Sequence, residues 1–127
     1  MVALNLNNKG QAVGTSDLPG DANFHGFLWT GENGMRDLGT LAGDVNSAAL
    51  SINDTGDVVG VSLDANFDLH PYIWQNGVMT NLNSLIPTNS PLSLLLACSI
   101  NSSGEIAGLA VTSSGELHAY LATPIGK

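Results

Sequence analysis

Three histidines recur in matching surroundings, "FHGFLW" at 24 to 29, "LHPYIW" at 69 to 74 and "LHAYLA" at 117 to 122. Histidine is the side chain best placed to move a proton or hold a metal near neutral pH. Two positions before His25, His70 and His118 stand Asn23, Asp68 and Glu116. On an extended strand i and i+2 share a face, so "DLH" and "ELH" would set a carboxylate beside an imidazole. That pairing suits acid-base work or a divalent cation. Asp17, Asp21 and Asp64 lie in the loops leading to these strands, with "DANF" occurring at both 21 to 24 and 64 to 67. Chain direction gathers those loops at one end, with the connection that carries Asp44, so an acidic end face is expected. His25, His70 and His118 are the catalytic candidates. Asn23, Asp68, Glu116, Asp17, Asp21 and Asp64 are the binding candidates, and Asp21, Asp64 and Asp68 the metal candidates. Calcium or another divalent cation is the cofactor such loops would take, although neither has the dense "DxDxDG" spacing of a committed site.

The recurrence also supports a plainer reading. Catalysis needs one site, whereas a residue repeated at one place in every unit more often fixes architecture. Loop aspartates keep an apolar protein solvated, and "NDTGD" at 53 to 57 aligns with "NNKGQ" and "NSSGE", which points to a turn and not to calcium. "GTSDLPG" and "GVSLD" begin like a nucleophile elbow but lack its second glycine, so Ser16 and Ser62 read as strand ends. One cysteine and three scattered histidines make zinc a poor fit. Cys98, inside "LSLLLACSI", is expected to be a small core residue, and Trp29 and Trp74 are expected to lie between packed units.

The elements that would position these groups come from an internal repeat. "NLNNKGQAVG", "SINDTGDVVG" and "SINSSGEIAG" align Asn7 with Asn53 and Asn101, Gly10 with Gly56 and Gly104, and Gly14 with Gly60 and Gly108. Each unit offers four short apolar runs: one ending at the asparagine, one after the glycine, one after the histidine and one after Asn-Gly. Runs this short, rich in β-branched and aromatic residues, predict strands. Asn three residues before Gly predicts a tight reversal, and Asn33-Gly34 and Asn76-Gly77 predict hairpins. The third unit stops before its fourth run. Units of 40 to 50 residues with four strands each predict propeller blades, over approximately 3–47, 48–94 and 95–127.

Composition limits the partners. The formal charge is -8, and Lys9, Arg36 and Lys127 are the only cationic side chains, so no basic patch exists to meet a phosphate backbone. No apolar run approaches the roughly 20 residues of a membrane-spanning helix. Neither nucleic acid nor membrane insertion is expected. The start, "MVALNLNN", has no leader-like pattern.

The repeated motifs resemble the bacterial extracellular repeats called HAF, named for a His-Ala-Phe core followed by an "NGxMTDLG"-like segment. His25-Gly26-Phe27, His70-Pro71-Tyr72 and His118-Ala119-Tyr120 stand at that core, and Asn33 to Gly39 and Asn76 to Asn83 at the second segment. Pro71 and Ala122 depart from the pattern. The resemblance implies an extracellular or periplasmic, propeller-like protein and supplies no catalytic residues. Three blades, the last incomplete, would leave apolar end faces, so a homodimer forming one six-bladed ring is expected, the rival explanation being a fragment of a longer repeat protein. The function expected is a binding or interaction module. The alternative is a hydrolase of small esters, lactones or saccharides that uses a His/carboxylate site, with or without a metal.

Overall fold

The computed structural model describes residues 2–17, 23–86 and 90–124. It is all-β, with eleven strands in three antiparallel sheets and no α-helix among the described residues. Sheet 1 holds β1 (Val2–Leu6), β2 (Ala12–Asp17), β3 (Phe24–Thr30) and β4 (Gly34–Gly39) in that order. Sheet 2 repeats it with β5 (Asn46–Ile52), β6 (Val58–Leu63), β7 (Leu69–Gln75) and β8 (Val78–Asn81). Sheet 3 has β9 (Leu92–Ile100), β10 (Ile106–Thr112) and β11 (Leu117–Ala122). The four-run units and the shortened third one are therefore present as read from the sequence. A 3-10 turn, Leu82–Ser84, comes directly after β8 at the end of sheet 2.

The sheets lie face to face. Val13 and Leu28 of sheet 1 meet Ala49, Ile52, Val58, Tyr72 and Trp74 of sheet 2 in one core cluster. Val59 on the other face of sheet 2 joins Leu94, Ala97, Ile100, Ile106 and Ala110 of sheet 3 in a second. Because both faces of the middle sheet are covered, β6 is buried along its whole length, which is why "VVGVSL" shows no polar alternation.

Two repeated devices set the spacing. In the first, each reversal is capped by its asparagine: the Asn53 side-chain carbonyl accepts from the backbone N–H of Thr55 and Asp57, and Asn7 and Asn101 do the same in their turns. The amide end of that side chain reaches the next sheet. Asn7 Nδ2 donates to the Asn53 backbone carbonyl at 2.9 Å, and Asn53 Nδ2 donates to that of Asn101 at 3.0 Å.

The second device explains the glycines of the second run. A bulge at Leu50 slips the β5 register between Ala49 and Ser51, opposite Gly60 and Val59. It turns the Ala48 carbonyl over Gly60, where a Cβ would come within 2.1 Å of that oxygen. The Tyr72 ring crosses the same glycine, and its hydroxyl donates to the Ala48 carbonyl at 3.1 Å. Gly108, the Leu96 carbonyl and Tyr120 repeat the arrangement, with a 2.8 Å bond. Gly14 lies under the Val2 carbonyl, with Phe27 opposite and no hydroxyl to complete the bond.

Cys98 corrects the expectation of a core thiol. It is one of the two residues, with Leu95, at which the β9 register slips, and it is exposed. Trp29 is also not covered: it is 44% exposed, whereas Trp74, its counterpart, is 7% exposed beneath sheet 1, with the Arg36 guanidinium 5.1 Å from its ring centre.

This packing makes two outcomes measurable. Gly60→Ala forces a Cβ against a backbone carbonyl and should cost about 3 kcal/mol or more. Gly115→Ala meets open space and only a left-handed φ of +89°, so about 1–2 kcal/mol is expected, both read from urea unfolding. The second outcome concerns the two tyrosines. Burial pushes the Tyr72 phenol well above its ordinary value and Tyr120 up to about 12, with the Cys98 thiol adding to the latter. A raised phenol contributes stability fully below its unfolded value of about 10 and loses it as pH climbs through the folded value. Phenolate absorbance should therefore show no tyrosine titrating near pH 10 (about the free value) while the protein stays folded.

Candidate functional site

The densest meeting of chemistry-bearing groups lies where sheet 1 hands over to sheet 2. His70, near the start of β7, faces Ser62 on β6. The connection between β4 and β5 crosses above them, held by the Asp44 N–H on the Leu41 carbonyl and the Val45 N–H on the Leu63 carbonyl. That connection delivers the Asp44 carboxylate, 4% exposed, to His70. His70 Nδ1 lies 2.9 and 3.1 Å from its two oxygens, and the Ser62 hydroxyl donates to it at 2.5 Å. A proton shared from Nδ1 leaves the lone pair on Nε2. Ser62, fully buried, also accepts from the Leu41 N–H at 3.0 Å, so its hydroxyl bridges β6 to the connection between β4 and β5.

Asp64 completes the cluster, with ligand atoms of Asp44, Asp64 and His70 all within 4.8 Å of one another. Its carboxylate accepts the backbone N–H of Asn66 at 2.9 Å and of Asp68 at 3.1 Å, closing the turn between β6 and β7. The Asp68 N–H, chiefly, holds this carboxyl below the ordinary range, and the Asn66 N–H adds to it while partial desolvation opposes. A depressed carboxyl stabilises the fold above its unfolded pKa and loses that contribution as pH falls through the folded one. Two carboxylates and an imidazole match the donor set that suits manganese, iron or zinc better than calcium. An ion would compete with the hydrogen bonds already described.

The remaining candidates lie elsewhere. His25 Nδ1 meets Asp37 of β4 at 2.9 and 3.0 Å on the open face of sheet 1. His118 is exposed on β11. Asn23, Asp17, Asp68 and Glu116 are exposed, and Asp21 lies outside the described residues. The carboxylates that reach the imidazoles are Asp37 and Asp44, not the residues two positions upstream. The reason is that β3, β7 and β11 begin at Phe24, Leu69 and Leu117, so Asn23, Asp68 and Glu116 precede the strands and the two-residue period does not apply to them. Glu116 instead serves a turn matching that of Asp64, its N–H donating to Thr112 Oγ1.

Neither a family model nor a curated protein nor a solved structure matches the chain. The site rests on its own geometry.

Phe67 is a neighbour of the site that motif and spacing alone do not single out. It takes a left-handed φ of 62° at the position that Gly115 fills in sheet 3, its N–H donates to the Asp64 carbonyl at 2.9 Å, and its side chain is exposed. Aligning "DANFDLH" with "TSSGELH" places Phe over Gly, and that mismatch is the available signal.

Substitutions at the histidines and their partners should have unequal effects. Asp44→Asn leaves one acceptor oxygen for two donors, the buried Ser62 hydroxyl and the half-buried His70, and is expected to cost about 1–3 kcal/mol. His25→Ala and His118→Ala, at exposed partners or none, should stay within about 0.5 kcal/mol, as measured by chemical denaturation.

Proposed function

We propose that the chain is a noncatalytic binding and interaction module whose three sheets are successive blades of a propeller-like assembly. The observation that carries this reading is the contrast between one repeat position covered and the same position bare. Leu28 of sheet 1 is 7% exposed against sheet 2, while its counterpart Leu121 in sheet 3 is 66% exposed; Trp74 and Trp29 give the same contrast on the opposite faces. Contiguous apolar surface of this kind marks an interaction site. The polar groups of the cluster, by contrast, take part in structural hydrogen bonds: Ser62 donates to Asp44, and Asp64 caps a turn. Closure into a ring requires further blades against the two bare faces. An extracellular or periplasmic setting is the implication of the HAF-like motifs and belongs to this proposal.

A second reading is favoured by the convergence of Asp44, Asp64 and His70, which would make the protein a metal-assisted hydrolase of small esters, lactones or saccharides. One variant separates the two. Asp64→Asn keeps the side-chain carbonyl that caps the turn, as Asn7, Asn53 and Asn101 do in theirs, and removes only the charge. Calorimetric titration with manganese, zinc and calcium, alongside hydrolysis of chromogenic esters, lactones and glycosides, should show no ion-dependent turnover in the parent chain. Turnover that requires an added ion and disappears in a folded Asp64→Asn variant would establish the hydrolase instead.

A further inference from the structure

The two bare faces are not equivalent to each other; they are the two halves of a joint that the chain already makes twice. Sheet 1 offers sheet 2 the face bearing Val13 and Leu28, and sheet 2 offers sheet 3 the face bearing Val59 and Ile73. The matching face of sheet 3, with Ala107 and Leu121, is open. On the receiving side, Trp74 of sheet 2 and Ala122 of sheet 3 lie against the preceding sheet, and Trp29 of sheet 1 is open.

The asparagine ladder has matching loose ends. Asn7 Nδ2 gives one hydrogen to Gln11 Oε1 and the other to the Asn53 carbonyl; Asn53 Nδ2 gives one to Asp57 and the other to the Asn101 carbonyl. Asn101 Nδ2 gives one to Glu105 Oε1, and its second hydrogen has no acceptor among the described residues. At the other end, the Asn53 and Asn101 carbonyls each accept twice, from the glycine N–H of their own turn and from the preceding asparagine. The Asn7 carbonyl accepts from Gly10 alone among the described residues. A free donor is thus left at the sheet 3 end of the stack and the acceptor it would need at the sheet 1 end.

We propose that the occupant of both bare faces is a second copy of this chain, with sheet 3 of each copy laid on sheet 1 of the other. The contact continues the ladder, Asn101 Nδ2 donating to the backbone carbonyl of Asn7 of the partner subunit. Leu121 covers the Trp29 side of the partner's first sheet. Two such joints related by a two-fold axis close a ring of six sheets and leave no end face. This deepens the interaction-module reading and rests on it.

The test is the solution mass of the folded 127-residue chain by light scattering across micromolar concentrations, with two face variants. Trp29→Lys spoils the receiving face and Leu121→Lys the offering face; both residues are exposed, and circular dichroism checks that each variant keeps its sheet spectrum. The parent should have twice the 13.1 kDa chain mass. Each variant alone should be monomeric, because its self-pairing damages both joints. Mixing the two should restore a dimer through the one joint in which both faces are intact. Asn101→Asp, which keeps the turn-capping oxygen and removes the donor, should weaken the dimer about tenfold or more.

A parent that remains monomeric would overturn the second copy as partner while leaving the module reading open to a different one. A dimer that survives Leu121→Lys alone would mean like faces pairing, and mass that keeps growing with concentration would mean an open array; either overturns the ring. Ion-dependent hydrolysis, by contrast, would count against the module reading and not against the joint.

Discussion

Burial of one apolar sheet face by the next is the constraint on which the molecule depends. No sheet of three or four strands has a core of its own; each gains one only from a neighbour, and sheet 2 gains two. Face burial is non-directional, however, and would tolerate sliding. Register comes from the asparagines, whose side chains cap a turn with the oxygen and reach across to the next turn with the nitrogen. A single residue type thereby fixes the reversal within a sheet and the spacing between sheets. Serines add to this: Ser47 accepts the Gly26 N–H of sheet 1, and Ser51 accepts the Ile100 N–H of sheet 3. These two buried serines of the middle sheet are thus paired across the joints.

The bulge, glycine and aromatic ring form a second invariant of the unit. A bulge turns one carbonyl out of the ladder, and that carbonyl must find a donor or water. In sheets 2 and 3 a tyrosine hydroxyl supplies the donor across a glycine that leaves room for both. In sheet 1 the aromatic is Phe27 and the Val2 carbonyl lies on an open face, where solvent can serve.

Much of this is legible in the sequence. The turns are, because Asn and Gly at fixed spacing have few conformational solutions, and so are the strand count and the truncated third unit. The recurrence of Gly14, Gly60 and Gly108 is visible, but its cause is not, since a carbonyl turned by a bulge leaves no mark in residue types. Cys98 misleads for the same reason: its apolar neighbours conceal a register slip that turns it out. The Asp44 contact is hidden because it arises between a connection and a strand 26 residues apart, not along one strand. Trp29 and Trp74 read identically in the sequence. Only the order of stacking makes one dry and the other wet.

Because both joints repeat the asparagine rung and the same apolar positions, lengthening the stack by tandem duplication of one unit's coding segment would reuse those contacts. The inserted sheet would find both neighbours already complementary to it. Natural variation in such a chain should therefore run in whole-unit steps, with partial units confined to the ends. A change of number would then alter the length of the stack, while the asparagine rung at each seam stayed the same.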